Sequence, residues 1–407
     1  MERCEIGQAL SGIKVLEFSE FISGPYCGRL LAGLGAEVVK IEPPGVGDKS
    51  RSWGPFRHDV PDKESSGLFL FLNINKMSVT LNVESESGKK IFRELVKWAD
   101  ILIEDQTPVE VERLGFNYES LSKINPSIIM TSITGFGQTG PYRDYKACDL
   151  INTHMSGMAF GNPAEGVDDP ETQPPLKQPA HTGDFMIGLS AGVCTMSALV
   201  GRIRGGPGQY IDLSQQEALT SVGRQELAFY VGGRMVPTRQ KGRKVRGGIL
   251  YPSKDGFVCI WAGPFMAKLI EMMGNPDWAN TEMFQNDNQR AQHMDEFNAL
   301  VTAWTSEKTS AEIEKIAIQY GVPCSPVRNP GDVVNDAQLA FRNFFVEMEH
   351  PVAGKLKYPG APYKLSKTPW LAQSPAPLLG QHNSQVYGEI LSYNSQDLLK
   401  LEQAGVI

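Results

Sequence analysis

From residue 13 to residue 133, short β-rich runs alternate with stretches whose apolar residues recur at helical spacing. Runs at 13–18, 37–41, 79–83, 101–103 and 128–133 read as strands. Helices fill the intervals. One follows the Ser23-Gly24-Pro25 turn to about Ala32, one carries Ile91, Phe92, Leu95 and Val96, and a short one surrounds Leu121. A strand that returns through a helix pairs in parallel with its predecessor, so this pattern predicts an open α/β sheet. Ligands of such sheets bind beyond the carboxyl ends of the strands. The turns that follow each strand are therefore the first places to look for chemistry.

Residues 185–201 are uncharged and mostly apolar, and predict a buried helix just short of bilayer-spanning length. Gly183-Asp184 stand directly before it, which puts a carboxylate on a helix N-terminus. Two readings are open. As an N-cap, Asp184 accepts backbone N–H bonds and does nothing more. Facing a cleft, it is an oriented nucleophile, because the helix end favours the anion and nearby N–H groups can hold an oxyanion. A thioester carbonyl held at attack distance in a dry site would react with such a carboxylate. His181, three residues earlier, either orients Asp184 or is simply solvated. His154 falls on a predicted helix as a packed or partly exposed residue.

The remaining chain shows a change of character. Residues 161–179 are rich in Pro, Gly and acidic residues and read as a long surface loop. Gly205-Gly206-Pro207-Gly208 is a turn, 210–213 a strand, and Ser214 caps a further helix. Beyond about Gly232, mixed patterns run to about Pro326 and suggest a second, smaller domain, as 407 residues exceed a single small core. The tail from about Phe345 is Pro-rich, with a last helix near 384–391.

Several function classes drop out. A net charge of −7 lacks the basic footprint of a nucleic-acid partner, although the basic cluster at 239–246 could hold the phosphates of a small ligand. The six cysteines are scattered, without CxxC pairs, which predicts reduced thiols in a cytoplasmic protein and no metal site. The opening residues carry no signal peptide pattern, and no membrane association is expected. The first strand–turn–helix holds only Gly24 where a dinucleotide fold needs G-x-G-x-x-G, and neither a Walker A motif nor a G-x-S-x-G elbow is present.

A set of short segments, taken in order, resembles the family III CoA-transferases, the group of formyl-CoA and carnitine CoA-transferases. They are Gly12-Ile-Lys-Val-Leu-Glu-Phe18, Ser23-Gly24-Pro25, Leu34-Gly35-Ala36-Glu37-Val38-Val39-Lys40-Ile41-Glu42, Gly47-Asp48-Lys49-Ser50-Arg51 and Asn73-Ile-Asn75-Lys76. Arg113-Leu-Gly115-Phe116, Asn125-Pro126, Gly135-Phe-Gly137, Gly183-Asp184, Gly208-Gln209, Gly321-Val-Pro323 and Leu379-Gly380 continue the series. The resemblance implies a large Rossmann-like α/β domain made from both chain ends (1–225 and 331–407), with a small α+β domain (226–330) inserted between. It further implies an interlocked dimer, either of identical chains or with a paralogous subunit. Asp184 matches the family nucleophile, which passes through aspartyl anhydride and aspartyl-CoA thioester intermediates. Coenzyme A enters as part of the acyl-CoA substrate, a carboxylic acid is the acceptor, and no cofactor is bound permanently.

The resemblance also marks residues for CoA. Arg113 would meet a phosphate, Leu81 would lie beside the adenine, Asp105, Gln106 and Thr107 would border the pantetheine, and Gly135 would meet the thioester end. Some members carry an arginine where this chain has Pro43, so Arg51 or Lys76 would supply that cation. The α-methylacyl-CoA racemases of the same family place a histidine before an aspartate. The matching stretch here is Ala147-Cys148-Asp149, which favours the transferase because a thiol does not replace an imidazole poised near neutral pH. A racemase, or a non-catalytic CoA-binding subunit of a paired transferase, are the alternatives. Succinyl-CoA is a plausible donor. Phe229, Tyr230, Met235, Trp261, Phe265 and Met266 could line an acyl pocket or pack in cores.

Overall fold

A computed structural model of the chain describes residues 7–163, 167, 169, 171–236, 239, 249–284 and 286–407. Apart from Arg239, the basic cluster at 239–246 lies outside the described residues. The chain divides into two compact units. The first comprises Met1–Phe160, Leu176–Pro237 and Phe341–Ile407, and the second Gly161–Pro175 and Thr238–Ala340. The main segment of the second unit therefore runs later than 226–330, and the unit also takes in part of the loop at 161–179.

The first unit is built on six parallel strands: β1 (Lys14–Phe18), β2 (Glu37–Glu42), β3 (Lys76–Thr80), β4 (Ile101–Glu104), β5 (Ile129–Thr134) and β6 (Gln209–Ser214). Their order is β3-β2-β1-β4-β5-β6, with every neighbouring pair parallel. The helices are α1 (Ser23–Gly33), α2 (Gly67–Leu72), α3 (Glu86–Trp98), α4 (Pro108–Leu114), α5 (Tyr118–Ile124), α6 (Asp149–Met155), α7 (Thr182–Ile203) and α8 (Gln215–Val222). Successive strand residues point to opposite faces. Leu16, Val39, Leu102 and Met130 accordingly join the core under α3, while their neighbours Val15, Val38, Ile101 and Ile129 join the core under α1 and α7. Both strands β4 and β5 are buried along their whole length, so neither alternates between apolar and exposed polar residues.

The C-terminal segment returns to this unit. The Tyr387 hydroxyl donates to the Thr80 carbonyl at 2.7 Å, and the Asn82 N–H donates to the Val406 carbonyl at 2.7 Å. Residues Ser384–Ile390 form a π-helix, and an α-helix at Ser395–Gln403, absent from the sequence reading, follows it. A hairpin of β10 (Phe345–His350) and β11 (Gly354–Pro359) completes the unit. The second unit packs helices Met266–Met272, Met294–Ser306 and Ser310–Tyr320 on the antiparallel strands β7 (Ile249–Ser253), β8 (Gly256–Ile260) and β9 (Cys324–Pro326). Its core holds Val258, Phe297, Val301 and Ile313.

Helix α7 corrects one expectation. It is not buried all round, and its 22 residues do reach the length and hydropathy of a bilayer span. One stripe faces the core through Ile187, Gly188, Ala191, Gly192, Thr195 and Leu199, while Leu189, Val193, Val200 and Ile203 are exposed. The small residues of the stripe let α1 come close. A Cβ on Gly188 would sit 2.5 Å from the Ser23 carbonyl oxygen and 3.1 Å from Tyr26. Gly188→Ala should therefore destabilise the fold by about 1–3 kcal/mol, read from denaturant unfolding. An unchanged midpoint would mean that the two helices part freely.

Candidate active site

The cap position of α7 is His181, and no side chain caps the helix. Asp184 lies inside the first turn, 7% exposed, so it is not an N-cap. Its carboxylate is held by its neighbour instead: His181 Nδ1 lies 3.1 Å from Asp184 Oδ2. The backbone N–H of Asp184, an orphan donor of the helix end, reaches across to Asp149 Oδ1 at 3.3 Å. Lys177 Nζ in turn sits 2.7 Å from Asp149 Oδ2. The Ser23 hydroxyl donates to the Asp184 carbonyl at 3.2 Å. Gly183 permits this arrangement, because a Cβ there would lie 2.5 Å from Asp149 Oδ1 and 3.1 Å from Thr153 Oγ1.

Burial pushes the Asp184 carboxyl up to about 6, and the Asp149 charge adds to the rise; His181 and Lys177 oppose it. The anion is thus present at neutral pH but poorly hydrated, which suits a nucleophile. For a nucleophilic Asp184, of which only the ionised form attacks, activity should climb as pH rises through about 6 on the acid side of the profile. A rate flat from pH 5 to 8 would contradict this.

Above the carboxylate the loop after β1 makes a wall. Phe21 adopts a left-handed backbone (φ 67°), which a bulky side chain rarely does. Two buried acceptors hold it there: Asp48 Oδ1 takes the Phe21 N–H at 3.2 Å and Asp105 Oδ2 takes the Glu20 N–H at 2.9 Å. Phe21, Trp53 and His181 then meet edge to face, with ring centres 5.0 to 5.6 Å apart. This loop leaves β1 beside β4, where the strand order reverses and open α/β sheets place their ligands.

Beneath the loop lies a network of buried charges that the sequence did not announce. Lys40 bridges Glu17 (2.9 Å) and Asp48 (2.7 Å), and Lys76 reaches Glu17 at 2.8 Å. Arg51, expected to meet CoA, belongs to the same buried layer. Its side chain is 1% exposed, and its Nε and Nη2 donate to Glu42 at 2.6 and 2.8 Å. Nη1 donates to Glu64 at 2.6 Å, and Nη2 also donates to the Pro377 carbonyl at 3.1 Å. The guanidinium further stacks 3.6 Å from the centre of Phe69. No face of it remains for a phosphate. Lys76, the other candidate cation, is equally enclosed, with its Nζ also bonded to the Pro25 carbonyl and Asn73 Oδ1.

The other residues singled out for CoA fall after the carboxyl ends of successive strands. Leu81 follows β3, but its side chain is buried in the core and only its backbone reaches the sheet edge, donating to the Glu42 carbonyl at 2.9 Å. Asp105 follows β4 and serves the Phe21 loop, with burial pushing its carboxyl well above the usual range. The Gln106 N–H donates to Glu104 Oε2 at 2.8 Å, and Thr107 caps α4. Gly135 follows β5, and a Cβ there would lie 2.3 Å from the Ala147 side chain. Arg113 is exposed at the end of α4, paired with Glu84 at 2.7 Å and Glu110 at 3.1 Å. As a surface cation it can exchange those partners for a phosphate at small cost. Cys148 is exposed, and His154 Nδ1 lies 2.8 Å from the Leu150 carbonyl one turn back. Among the described residues no group of three or more His, Cys, Asp or Glu is placed to hold a metal ion.

The sequence profile of CoA-transferase family III matches residues 10–383. A succinyl-CoA:glutarate CoA-transferase of Mus musculus is 32% identical over 99% of this chain and 91% of its own length. A succinyl-CoA–D-citramalate CoA-transferase of Chloroflexus aurantiacus is 31% identical over 98% of both chains. The crystal structure of a CAIB/BAIF family protein from Brucella suis superposes with a TM-score of 0.85 at 29% identity, covering 94% of this chain and all of that one. With the family profile spanning nearly its whole length and named transferases aligned end to end, this chain belongs to CoA-transferase family III and is a CoA-transferase.

Proposed function

We propose that this transferase moves CoA from succinyl-CoA to a second dicarboxylic acid, with Asp184 as the nucleophile. The observation that carries the reading is a buried carboxylate on a helix N-terminus, held through one oxygen by His181 and reaching its ionised form near neutral pH. Asp184 attacks the thioester carbonyl, the C–S bond breaks, and a mixed anhydride forms as CoA thiolate leaves. The thiolate then attacks Cγ of Asp184 and expels the donor acid, which leaves an aspartyl-CoA thioester. An oxygen of the acceptor carboxylate attacks the same carbon and releases the thiolate. Attack of that thiolate on the acceptor's acyl carbon yields the new acyl-CoA and restores Asp184. Each bond broken is matched by one formed, and the cycle consumes no proton and no electron.

The two named relatives support the choice of substrates, since both use succinyl-CoA and both accept dicarboxylic acids. Thr107 and Arg113, whose side chains are accessible at the sheet edge, are the described groups best placed to meet CoA. The same reading has two copies of the chain pair as an interlocked homodimer. Leu189, Val193, Val200 and Ile203 of α7, exposed on a lone chain, are in keeping with such a cover. The test is to supply the purified chain with succinyl-CoA and a panel of dicarboxylates that includes glutarate, and to resolve the products by chromatography. Appearance of the acceptor's CoA thioester with release of succinate is expected. Solvent deuterium entering the α-carbon of an acyl-CoA, without transfer, would overturn the reading in favour of a racemase.

A further inference from the structure

We propose that His181 is a catalytic residue, the oxyanion donor for the steps that take place at the aspartyl carbonyl. This rests on Asp184 being the nucleophile. The sequence leaves His181 either orienting Asp184 or solvated; in the fold it is in hydrogen-bond contact with the Asp184 carboxylate. The oxygen it meets is Oδ2, which leaves Oδ1 to attack. Because an ionised carboxylate is an acceptor only, the Nδ1 that faces it is the protonated nitrogen.

Once Oδ1 is bonded to an acyl group, Cγ and Oδ2 become the carbonyl of the anhydride. Attack of CoA thiolate on Cγ moves an electron pair onto Oδ2, and expulsion of the donor acid through the Cγ–Oδ1 bond returns it. The acceptor carboxylate repeats this on the thioester. In each case the negative charge develops on the atom that already lies 3.1 Å from Nδ1. A donor fixed in place before the charge appears is what stabilises such a transition state.

His181 is fixed on three sides. Its backbone is the cap residue of α7, and its ring stands edge-on to Phe21 (5.0 Å, 90°) and against Trp53 (5.6 Å, 73°). Phe21 is pinned in turn through its N–H to Asp48. The ring keeps a quarter of its side chain exposed, and moving off Oδ2 would cost it its edge-on contact with Phe21 in a doubly anchored loop. That anchoring is unnecessary for a solvated surface histidine and is what a preorganised donor needs.

The test is a rapid-quench measurement of aspartyl-CoA formation from succinyl-CoA, alongside steady-state kcat and KM. His181→Phe keeps a ring in the aromatic corner without a donor, and His181→Asn keeps a donor near the Nδ1 position. The Phe variant should lose roughly a hundredfold in kcat and in the quench rate, with KM changed little, and the Asn variant should recover most of that loss. His181→Ala, slow alone and accelerated by added imidazole, would support the role should the Phe variant fold poorly. A Phe variant as fast as the parent, or an Asn variant as slow as Phe with no rescue by imidazole, would overturn it. Failure of the underlying reading looks different: the unmutated enzyme would then form no adduct at Asp184, and the His181 role would fall with it.

Discussion

With Asp184 as the nucleophile, Asp184→Asn should cut turnover by at least about ten-thousand-fold, because the amide cannot form the anhydride. The same substitution should make the protein more stable at neutral pH. Burial raises the Asp184 carboxyl from 3.8 to about 6, so the folded state holds that proton more tightly than the unfolded chain does. The group's contribution to stability is therefore complete below the unfolded value and is lost as pH rises through about 6. Above that, ionising Asp184 costs roughly 3 kcal/mol, which the neutral amide avoids. Melting curves of the two proteins should separate at pH 7.5 and converge near pH 4. An Asn variant that melts lower at pH 7.5, or that keeps a tenth of the activity, contradicts the account.

Arg51→Ala is the second large effect, and it separates a structural arginine from a ligand-binding one. Removing the guanidinium leaves Glu42 buried without its bidentate partner and breaks the link from the segment after β2 to Pro377 in the C-terminal return. Breaking a buried pair by deleting one partner costs about 3–5 kcal/mol. Denaturant unfolding should show a loss of that size. An arginine that served CoA would instead raise KM for the acyl-CoA while leaving the unfolding midpoint in place, and that result would restore the original assignment.

The parts legible in the sequence were those that depend on neighbours along the chain. The ends of β4 and β5 fall within one residue of expectation, since both are short β-rich runs bounded by turns. The strand β3 was placed at 79–83, whereas it runs from Lys76 to Thr80. Its first residue is a lysine that looks out of place in a strand until its partner Glu17, on another strand, is known. Asp184 stood out through its position before an apolar helix, and His181 lies only three residues away, so both were visible. What held them was not: Asp149 is 35 residues from Asp184, Asp48 is 27 from Phe21, and Asp105 is 85 from Glu20. The partners of Arg51 were hidden for the same reason. A motif shared with a family marks which residues matter, but only the fold says whether a cation is free or already surrounded by carboxylates.

The central claim, that Asp184 becomes covalently acylated, is tested most directly by trapping. The enzyme is mixed with succinyl-CoA, quenched with hydroxylamine, digested, and the peptide containing residues 182–203 is weighed. The account predicts a hydroxamate at Asp184 in the unmutated enzyme and none in Asp184→Asn. A hydroxamate on another residue, or rapid CoA transfer with no mass change at Asp184, would contradict it.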